Sequence, residues 1–394
     1  MRFGAAAALG LSEPHFADAR AYLAAAETLA RTGTYPDRTD AYFFRPPAYP
    51  VFLAAVTLGH PERIALAKAA GAAAGALVPL LLAALAARLF GSPGIAALAG
   101  VGAALDPSLI LLASDIQSEA IFVPLLLASG LALLGAADRP SPRLAVAAGA
   151  LLGAAALARP SALAVAPLLA APFVDRRWEA RMRVRLAGSA LLGLALALVP
   201  WTARNALRFH ELIVVSDSAA AAFYDGNSDR TLGLYEARTR QELEQRLAAM
   251  DAHKLEYLAS LPPAVAASPS ARSRALERLA LAELTADPGR AAKLYLRKVW
   301  EWWRPYPSPL YWPWPAVAGV GLLNAALYAL GGIGLARASR HGAARFALAF
   351  LLVAMVFHVA FIVVFRYRVP FWDPVLLLYG ASAAGRTLAP WRRP

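Results

Sequence analysis

The feature that most constrains this chain is a series of apolar stretches that approach the length of a membrane-spanning helix. A helix needs about 20 mostly apolar residues to cross a bilayer. The mean hydropathy is +0.49, with 59% hydrophobic and 16% charged residues, which few soluble chains reach. We predict an all-α, polytopic transmembrane helix bundle with spans near 64–90, 94–106, 118–137, 143–158, 160–174, 185–202, 316–337, 344–365 and 371–385. Arg159-Pro160 predicts a turn between two short spans, because proline disfavours a helical residue before it.

The composition excludes several classes of function. The chain has no cysteine, so it has neither disulfides nor thiolate metal sites. Its net charge of +13 is expected for a membrane protein, because arginines concentrate in the cytoplasmic loops and near the lipid headgroups. No basic stripe carries interleaved aromatic residues, so we expect membrane lipids rather than nucleic acid as partners.

The arginines of the short links predict the orientation. If residues 12–62 lie outside, the links at 88–93, 138–143, 175–185 and 337–345 and the C-terminal tail lie inside. Each of these segments carries arginine, as the positive-inside rule requires. The arginines concerned are Arg88, Arg139, Arg143, Arg176, Arg177, Arg181, Arg183, Arg185, Arg337, Arg340, Arg345, Arg386, Arg392 and Arg393. We therefore predict a multi-pass protein of the inner (plasma) membrane.

The one long polar segment, 203–315, then lies outside. Leucine spacing predicts helices over 236–258 and 270–299, the second broken at Asp287-Pro288-Gly289. A tryptophan-rich stretch follows at 300–314, which is typical of an interfacial belt, with sugar stacking as the alternative. The predicted organisation has three parts. They are a transmembrane module at 1–202 with its first outer loop at 12–62, the extracytoplasmic segment 203–315, and C-terminal helices with a cytoplasmic tail at 316–394.

Ionisable groups gather at the predicted outer ends of the spans, where each is costly unless it is solvated or paired. They are Asp18, Arg45, Asp106, Asp115, Glu119, Arg159, Arg204, Arg366 and Arg368. Arginine matches phosphate oxygens in bidentate fashion, so the set predicts an anion site, although a single arginine also reaches headgroups by snorkelling. Asp18 and Glu119 could instead stabilise the N-termini of helices, by capping or through the helix dipole. Asp106-Pro107 predicts a turn between half-spans.

Several motifs, in order, resemble one family. They are Asp18-Ala-Arg-Ala-Tyr22, Gly33-Thr-Tyr35, Arg45-Pro-Pro-Ala-Tyr49-Pro50, Ser118-Glu119, Ala158-Arg159-Pro160-Ser161, Pro200-Trp201-Thr-Ala-Arg204-Asn205, Val214-Val-Ser216, Gly226-Asn227 and Arg366-Tyr367-Arg368-Val-Pro370. The chain resembles the bacterial GT-C membrane glycosyltransferases related to protein O-mannosyltransferases and lipid A aminoarabinose transferases. Members usually begin with a complete spanning helix before the aspartate. Residues 3–11 are too short to span, and we expect them to be the end of such a helix.

The resemblance implies a GT-C type bundle, a polyprenyl-phosphate-sugar donor, inverting transfer and catalysis on the extracytoplasmic face. The acceptor would be a glycan, a lipid or a protein. The family's first-loop aspartate corresponds to Asp18, with Glu119 the second candidate catalytic residue. The candidate substrate-binding residues are Arg45, Tyr49, Arg159, Arg204, Asn205, Arg366, Tyr367 and Arg368. Some relatives use a divalent metal, but no carboxylate cage is evident here, so no cofactor is expected.

Two alternatives stay open at this point. A transporter or lipid flippase with an anion-binding vestibule would place polar residues near the bilayer midplane. The predicted spans are apolar there, which favours the transferase. A scaffold subunit with a degenerate site is the second alternative.

Overall fold

The computed structural model describes residues 1–8, 10–16, 18–39, 42–173 and 179–388. The described residues form helices joined by short connections, with no β-strand among them. The predicted all-α, polytopic fold is confirmed. The chain divides into two compact units. The first unit is Met1–Trp201, Ala326–Ala354 and Val369–Pro394, and the second unit is Thr202–Ala325 and Met355–Arg368.

Nine α-helices and a 3₁₀ helix make up the N-terminal part of the first unit. The α-helices are α1 (Arg2–Ala8), α2 (Asp18–Thr32), α3 (Ala48–Thr57), α4 (Ile64–Gly75), α5 (Leu77–Phe90), α6 (Pro93–Leu105), α7 (Pro107–Ser114), α8 (Glu119–Asp138) and α9 (Pro142–Ala158). The 3₁₀ helix, Pro160–Phe173, lies where an apolar span was predicted over 160–174. Pro160 and Pro167 lack the backbone N–H that a regular α-helix needs, which explains the difference.

Among the residues that the structure describes, five helical segments are long and apolar enough to cross a membrane. They are Ile64–Phe90, Glu119–Asp138, α10 (Ala180–Phe209), α17 (Trp314–Ala338) and α18 (Gly342–Ala360). A sixth span results if α6 and α7, which meet at a bend of 54°, count as one. The bend lies at Asp106-Pro107, where the sequence predicted a turn, and Asp106 caps α7 there by accepting a 2.8 Å hydrogen bond from the N–H of Leu109. The chain is a multi-pass membrane protein.

The predicted boundary between the last two spans was wrong. The sequence placed them at 344–365 and 371–385, whereas α18 ends at Ala360 and α19 (Phe365–Leu388) begins before Arg366. The Val359 and Ala360 carbonyls accept bonds from the side chains of Lys298 and Asn227. These side chains, distant in sequence, satisfy backbone carbonyls at the C-terminal end of α18. The residues around 360 give no indication of these donors, so the end of the helix could not be predicted from them.

Small residues let helices of the first unit approach closely. A Cβ built on Gly149 of α9 would lie 1.8 Å from the carbonyl oxygen of Ala190 in α10. A Cβ built on Gly193 would lie 1.9 Å from the carbonyl oxygen of Val146. Neither approach is compatible with a side chain, so α9 and α10 pack backbone against backbone, in the manner of membrane helices rich in small residues.

The second unit is built from six further helices and the adjoining ends of α10, α17, α18 and α19. The six are α11 (Ala219–Asn227), α12 (Thr231–Glu236), α13 (Arg240–Ala259), α14 (Pro263–Ala267), α15 (Pro269–Ala286) and α16 (Pro288–Trp303). The predicted break at Asp287 is present. The Asp287 side chain caps α16 by accepting a 2.9 Å bond from the N–H of Arg290, and Pro288 opens the helix.

Candidate active site

Asp18 and Arg45 form an ion pair in the first unit. Asp18 lies in the first turn of α2, where the helix dipole favours a carboxylate. Its Oδ1 lies 3.0 Å from Nη2 of Arg45, and the two side chains are 27% and 25% exposed. The Arg45 guanidinium also lies 5.3 Å from the ring centroid of Tyr22. A partly exposed carboxylate held by a guanidinium can reach a substrate while its geometry stays fixed.

Backbone contacts hold Arg45 in place before α3. Its N–H donates to Thr39 Oγ1 at 2.9 Å, and its carbonyl accepts from the Tyr35 hydroxyl at 2.9 Å. The Tyr35 ring packs edge-on against Trp201, with centroids 5.0 Å apart. The loop that carries Arg45 is therefore anchored by side chains from several parts of the unit.

Glu119 and Arg159 form a second, more deeply buried pair. Glu119 Oε1 lies 2.6 Å from Arg159 Nη1, and their side chains are 2% and 17% exposed. The same nitrogen donates to Ser118 Oγ at 3.3 Å. The Arg159 guanidinium lies 6.0 Å from the ring centroid of Phe122. Because a buried charge is costly without a partner, each member of this pair requires the other.

Tyr22 connects the two pairs. It lies one helical turn after Asp18 and packs edge-on against Tyr49, with ring centroids 5.0 Å apart. Burial raises the pKa of the Tyr22 phenol, and Arg45 lowers it in part. Asp18 raises the pKa of this phenol electrostatically, whereas Arg159 and Ser118 lower it. We call Asp18, Tyr22, Arg45, Glu119 and Arg159 the rim cluster. Its phenol stays protonated at neutral pH and can donate a hydrogen bond.

Sequence reasoning did not select Tyr22 as a site residue. The sequence feature that could have identified Tyr22 is its four-residue spacing from Asp18, which places both side chains on one face of a helix. Tyr49 was selected, and the structure buries it completely between Tyr22 and Phe52. The Tyr49 ring therefore packs against the Tyr22 ring from the buried side.

A buried pair of Lys68 and Asp115 supports the segment that leads to Asp18. Both side chains are fully buried, with Nζ 3.2 Å from Oδ1. Lys68 Nζ also donates to the carbonyls of Gly10 and Glu13, each at 2.7 Å. The N–H of His15 donates to Asp115 Oδ2 at 2.9 Å. The sequence analysis placed Asp115 at the outer rim but did not select Lys68. An isolated lysine in an apolar span is costly unless it is paired, and this feature could have identified it.

The remaining candidate residues lie in the second unit. Arg204 Nη1 donates to Asn205 Oδ1 at 3.2 Å, and the buried Asn205 amide donates to the carbonyl of Ile213 at 2.9 Å. The guanidinium of Arg366 lies 5.2 Å from the ring centroid of Tyr367. Arg368 is fully buried, and its Nη1 donates to the Arg304 carbonyl at 2.7 Å, at the C-terminal end of α16. Convergence of these arginines with Arg45 stays a prediction.

Two of the predicted inner segments fall partly outside the described residues. Arg176 and Arg177 of the link at 175–185 lie there, as do Arg392 and Arg393 of the tail. Within the described ranges, no three His, Asp or Glu side chains gather to hold a metal ion. The carboxylates of Asp18 and Glu119 each face an arginine.

Comparison with known proteins fits this architecture. Residues 45–202 match the sequence model of the dolichyl-phosphate-mannose-protein mannosyltransferase family. No curated protein matches the chain. The fold is similar to the oligosaccharyltransferase AglB from Archaeoglobus fulgidus in complex with an inhibitory peptide and a dolichol-phosphate. The TM-score is 0.55 and the identity 15%, over 98% of this chain and 49% of that one. The apo form of the Archaeoglobus fulgidus oligosaccharyltransferase gives a TM-score of 0.57 at 15% identity, over 95% and 48%.

ArnT from Cupriavidus metallidurans bound to undecaprenyl phosphate aligns with a TM-score of 0.42 at 15% identity, over 98% of this chain and 77% of that one. The chain spans about half the length of the two oligosaccharyltransferase structures. The match over residues 45–202 and the fold agree with the resemblance to GT-C membrane glycosyltransferases. The resemblance found in its motifs is confirmed.

Proposed function

We propose that the chain transfers a sugar, with inversion, from a polyprenyl-phosphate donor to an acceptor hydroxyl on the extracytoplasmic face of the inner membrane. The observation that supports this proposal is the pair of Asp18 and Arg45, a partly exposed carboxylate beside a partly exposed guanidinium. The family match begins at Arg45 and includes Tyr49, Glu119 and Arg159. The acceptor class is a glycan, a lipid or a protein.

In this mechanism Asp18 is the general base. Its carboxylate takes the proton of the acceptor hydroxyl as the hydroxyl oxygen attacks the anomeric carbon. The bond between that carbon and the phosphate oxygen breaks, and the polyprenyl phosphate leaves with the electron pair. General-base assistance of this kind contributes about 10²–10⁴-fold.

Arginines stabilise the departing phosphate in this proposal. Arg45 lies beside Asp18, so its guanidinium would meet negative charge as it develops on the leaving oxygen. Arg204, Arg366 and Arg368 are the further proposed phosphate ligands. Glu119 and Arg159 would orient the acceptor through the Tyr22 phenol, which both ion pairs influence. The arginine-bearing links predict that this chemistry takes place outside the cell.

The decisive experiment compares Asp18→Asn with Asp138→Asn in purified protein. Asp138 pairs with Arg88 at 2.7 Å in an exposed ion pair, which makes its variant a matched control. The assay follows the transfer of labelled sugar from a panel of polyprenyl-phosphate hexoses and pentoses to added glycan, lipid and protein acceptors in detergent micelles. We expect Asp18→Asn to lose transfer by about 10²–10⁴-fold, with donor binding kept, and Asp138→Asn to retain full activity.

Full transfer by Asp18→Asn would show that another residue is the base, and Glu119→Gln would then be tested. The same purified protein, reconstituted in vesicles, distinguishes the transporter and flippase alternative. Donor that crosses vesicle membranes unchanged, with no sugar released by the unmodified chain, would favour that alternative. Donor that is bound but neither cleaved nor moved would favour a scaffold subunit.

A further inference from the structure

Helix α16 presents three different faces. Leu294, Lys298 and Glu301 follow helical spacing and are buried against the rest of the second unit. A second face carries Leu296, Trp300 and Trp303, which are 73%, 52% and 47% exposed. These large apolar side chains recur at i, i+4 and i+7, so they form one continuous stripe. We call this stripe the apolar face of α16.

A basic edge runs along one side of the apolar face. It comprises Arg290, Lys293, Arg297 and Arg304. Arg297 and Arg304 each pair with Glu301 at 2.9 Å, whereas Lys293 is exposed. A shallow groove between α12 and α16 joins the edge to the apolar face; its lining is Leu232, Glu236, Lys293, Leu296, Arg297 and Trp300. Apolar and cationic side chains on adjacent faces suit an interface with anionic headgroups.

The end of α16 and the residues just after it contact two candidate membrane spans. The Trp302 ring lies 5.1 Å from the His358 ring in α18, and Lys298 donates to the Val359 carbonyl one residue from the end of that span. Just after α16, the carbonyl of Pro305 accepts a 2.7 Å bond from Asn324 of α17. At 1.5 Å per residue, Asn324 lies about 15 Å along α17 from Trp314, well inside that helix. The α18 contacts lie at the end of their helix, so they fix Lys298 and Trp302 near the level at which α18 ends.

We infer that α16 lies in the membrane interface, with its apolar face inserted among the lipids and its basic edge at the phosphates of anionic lipids. The contacts with the end of α18 fix the level of the C-terminal half of α16. Tryptophan at both exposed C-terminal positions matches the preference of that ring for the interface. The inference does not depend on the proposed transfer reaction, since it concerns a surface outside the rim cluster.

Spin labels on single cysteines test this inference, because the chain has no cysteine of its own. Leu296→Cys and Trp300→Cys probe the apolar face. Ala248→Cys, at an exposed position on α13, is the control. The full chain is reconstituted in phosphatidylcholine vesicles with and without phosphatidylglycerol. Collision rates with oxygen, which concentrates in lipid, and with a water-soluble nickel chelate are then measured.

We expect the ratio of oxygen to nickel collisions to be several-fold higher at 296 and 300 than at 248. Phosphatidylglycerol should raise the ratio at 300 further, and adding Lys293→Gln should diminish that rise. A ratio at 296 and 300 equal to that at 248 would overturn the inference, because the face would then lie in water. Low collision rates with both reagents would also overturn it, since a protein would then cover the face.

Discussion

Lys298 is a buried lysine whose hydrogen-bond partners are neutral oxygen atoms rather than carboxylates. Its side chain has no exposed surface, and Nζ donates to Asn227 Oδ1 at 3.0 Å and to the Val359 carbonyl at 3.2 Å. The Tyr295 ring centroid lies 4.6 Å from Nζ. Among the described residues, no carboxylate forms an ion pair with it. Burial lowers the pKa of Lys298 from its ordinary value of 10.5 to about 7.

This pKa predicts how stability depends on pH. Between about pH 7 and 10.5 the unfolded chain holds a proton on Lys298 that the folded chain does not, so the free energy of unfolding rises with pH. Below that window both states are protonated, and the cost of burying the charge is felt in full. We expect the melting temperature of the unmodified chain, relative to Lys298→Met, to rise from pH 6 towards 10 (roughly the window set by that shift).

Lys293→Met, at an exposed position on the same helix, is the matched control and should show no such trend. The measurement is thermal unfolding in detergent micelles across that range. A constant difference between the unmodified chain and Lys298→Met would contradict the expected titration. The neutral amine keeps its donors to Asn227 and to the end of α18, so the contacts themselves should persist at high pH.

At the scale of elements, helix pairs are held at distances that only small residues permit. Gly149 and Gly193 face the backbone of the opposite helix, so α9 and α10 cannot be closer or carry larger residues there. Between membrane helices, lipid tails are as apolar as the side chains. Close van der Waals packing therefore contributes much of the association energy.

The glycines of α10 give a paired prediction. Gly193→Ala should destabilise the protein by about 1–3 kcal/mol, a typical cost of overpacking, because the new methyl would meet the Val146 backbone. Gly188→Ala on the same helix meets nothing within 4 Å and should leave the melting temperature unchanged. Thermal unfolding of the two variants in one detergent measures the difference. Equal stability of the two would show that α9 and α10 are farther apart than described.

At the scale of the whole molecule, the distribution of charge sets the orientation in the membrane. Arginines occupy every short link predicted to lie inside, and the long segment 203–315 carries mixed charges. The five apolar helices are long enough to cross a bilayer, but their length and composition are the same in either orientation. The orientation is therefore a prediction from the links.

Cysteine labelling tests this orientation. We expect a membrane-impermeant maleimide to label Ala248→Cys in intact cells and Arg181→Cys only after permeabilisation. The physical reason is that arginine near the ends of spans is retained on the cytoplasmic side. Labelling of both variants after permeabilisation is the control that each cysteine is reactive. Modification of Arg181→Cys in intact cells would reverse the proposed topology and place the rim cluster inside.

The sequence by itself determined the class of the fold, the approximate positions of the long apolar helices and the breaks at two prolines, but not the end of α18. Apolar length specifies a span, and a proline breaks a helix through its own ring and missing N–H, as at Asp106-Pro107 and Asp287-Pro288. These causes are local, so a pattern of neighbouring residues is sufficient to read them.

Only the tertiary structure decided which charges meet. The pairing of Asp18 with Arg45 and of Lys68 with Asp115, and the capping of α16 by Arg368, join residues far apart in the chain. The sequence showed these groups as costly in lipid but could not name their partners. A buried charge requires a partner in space, and helix packing rather than spacing along the chain brings the two together.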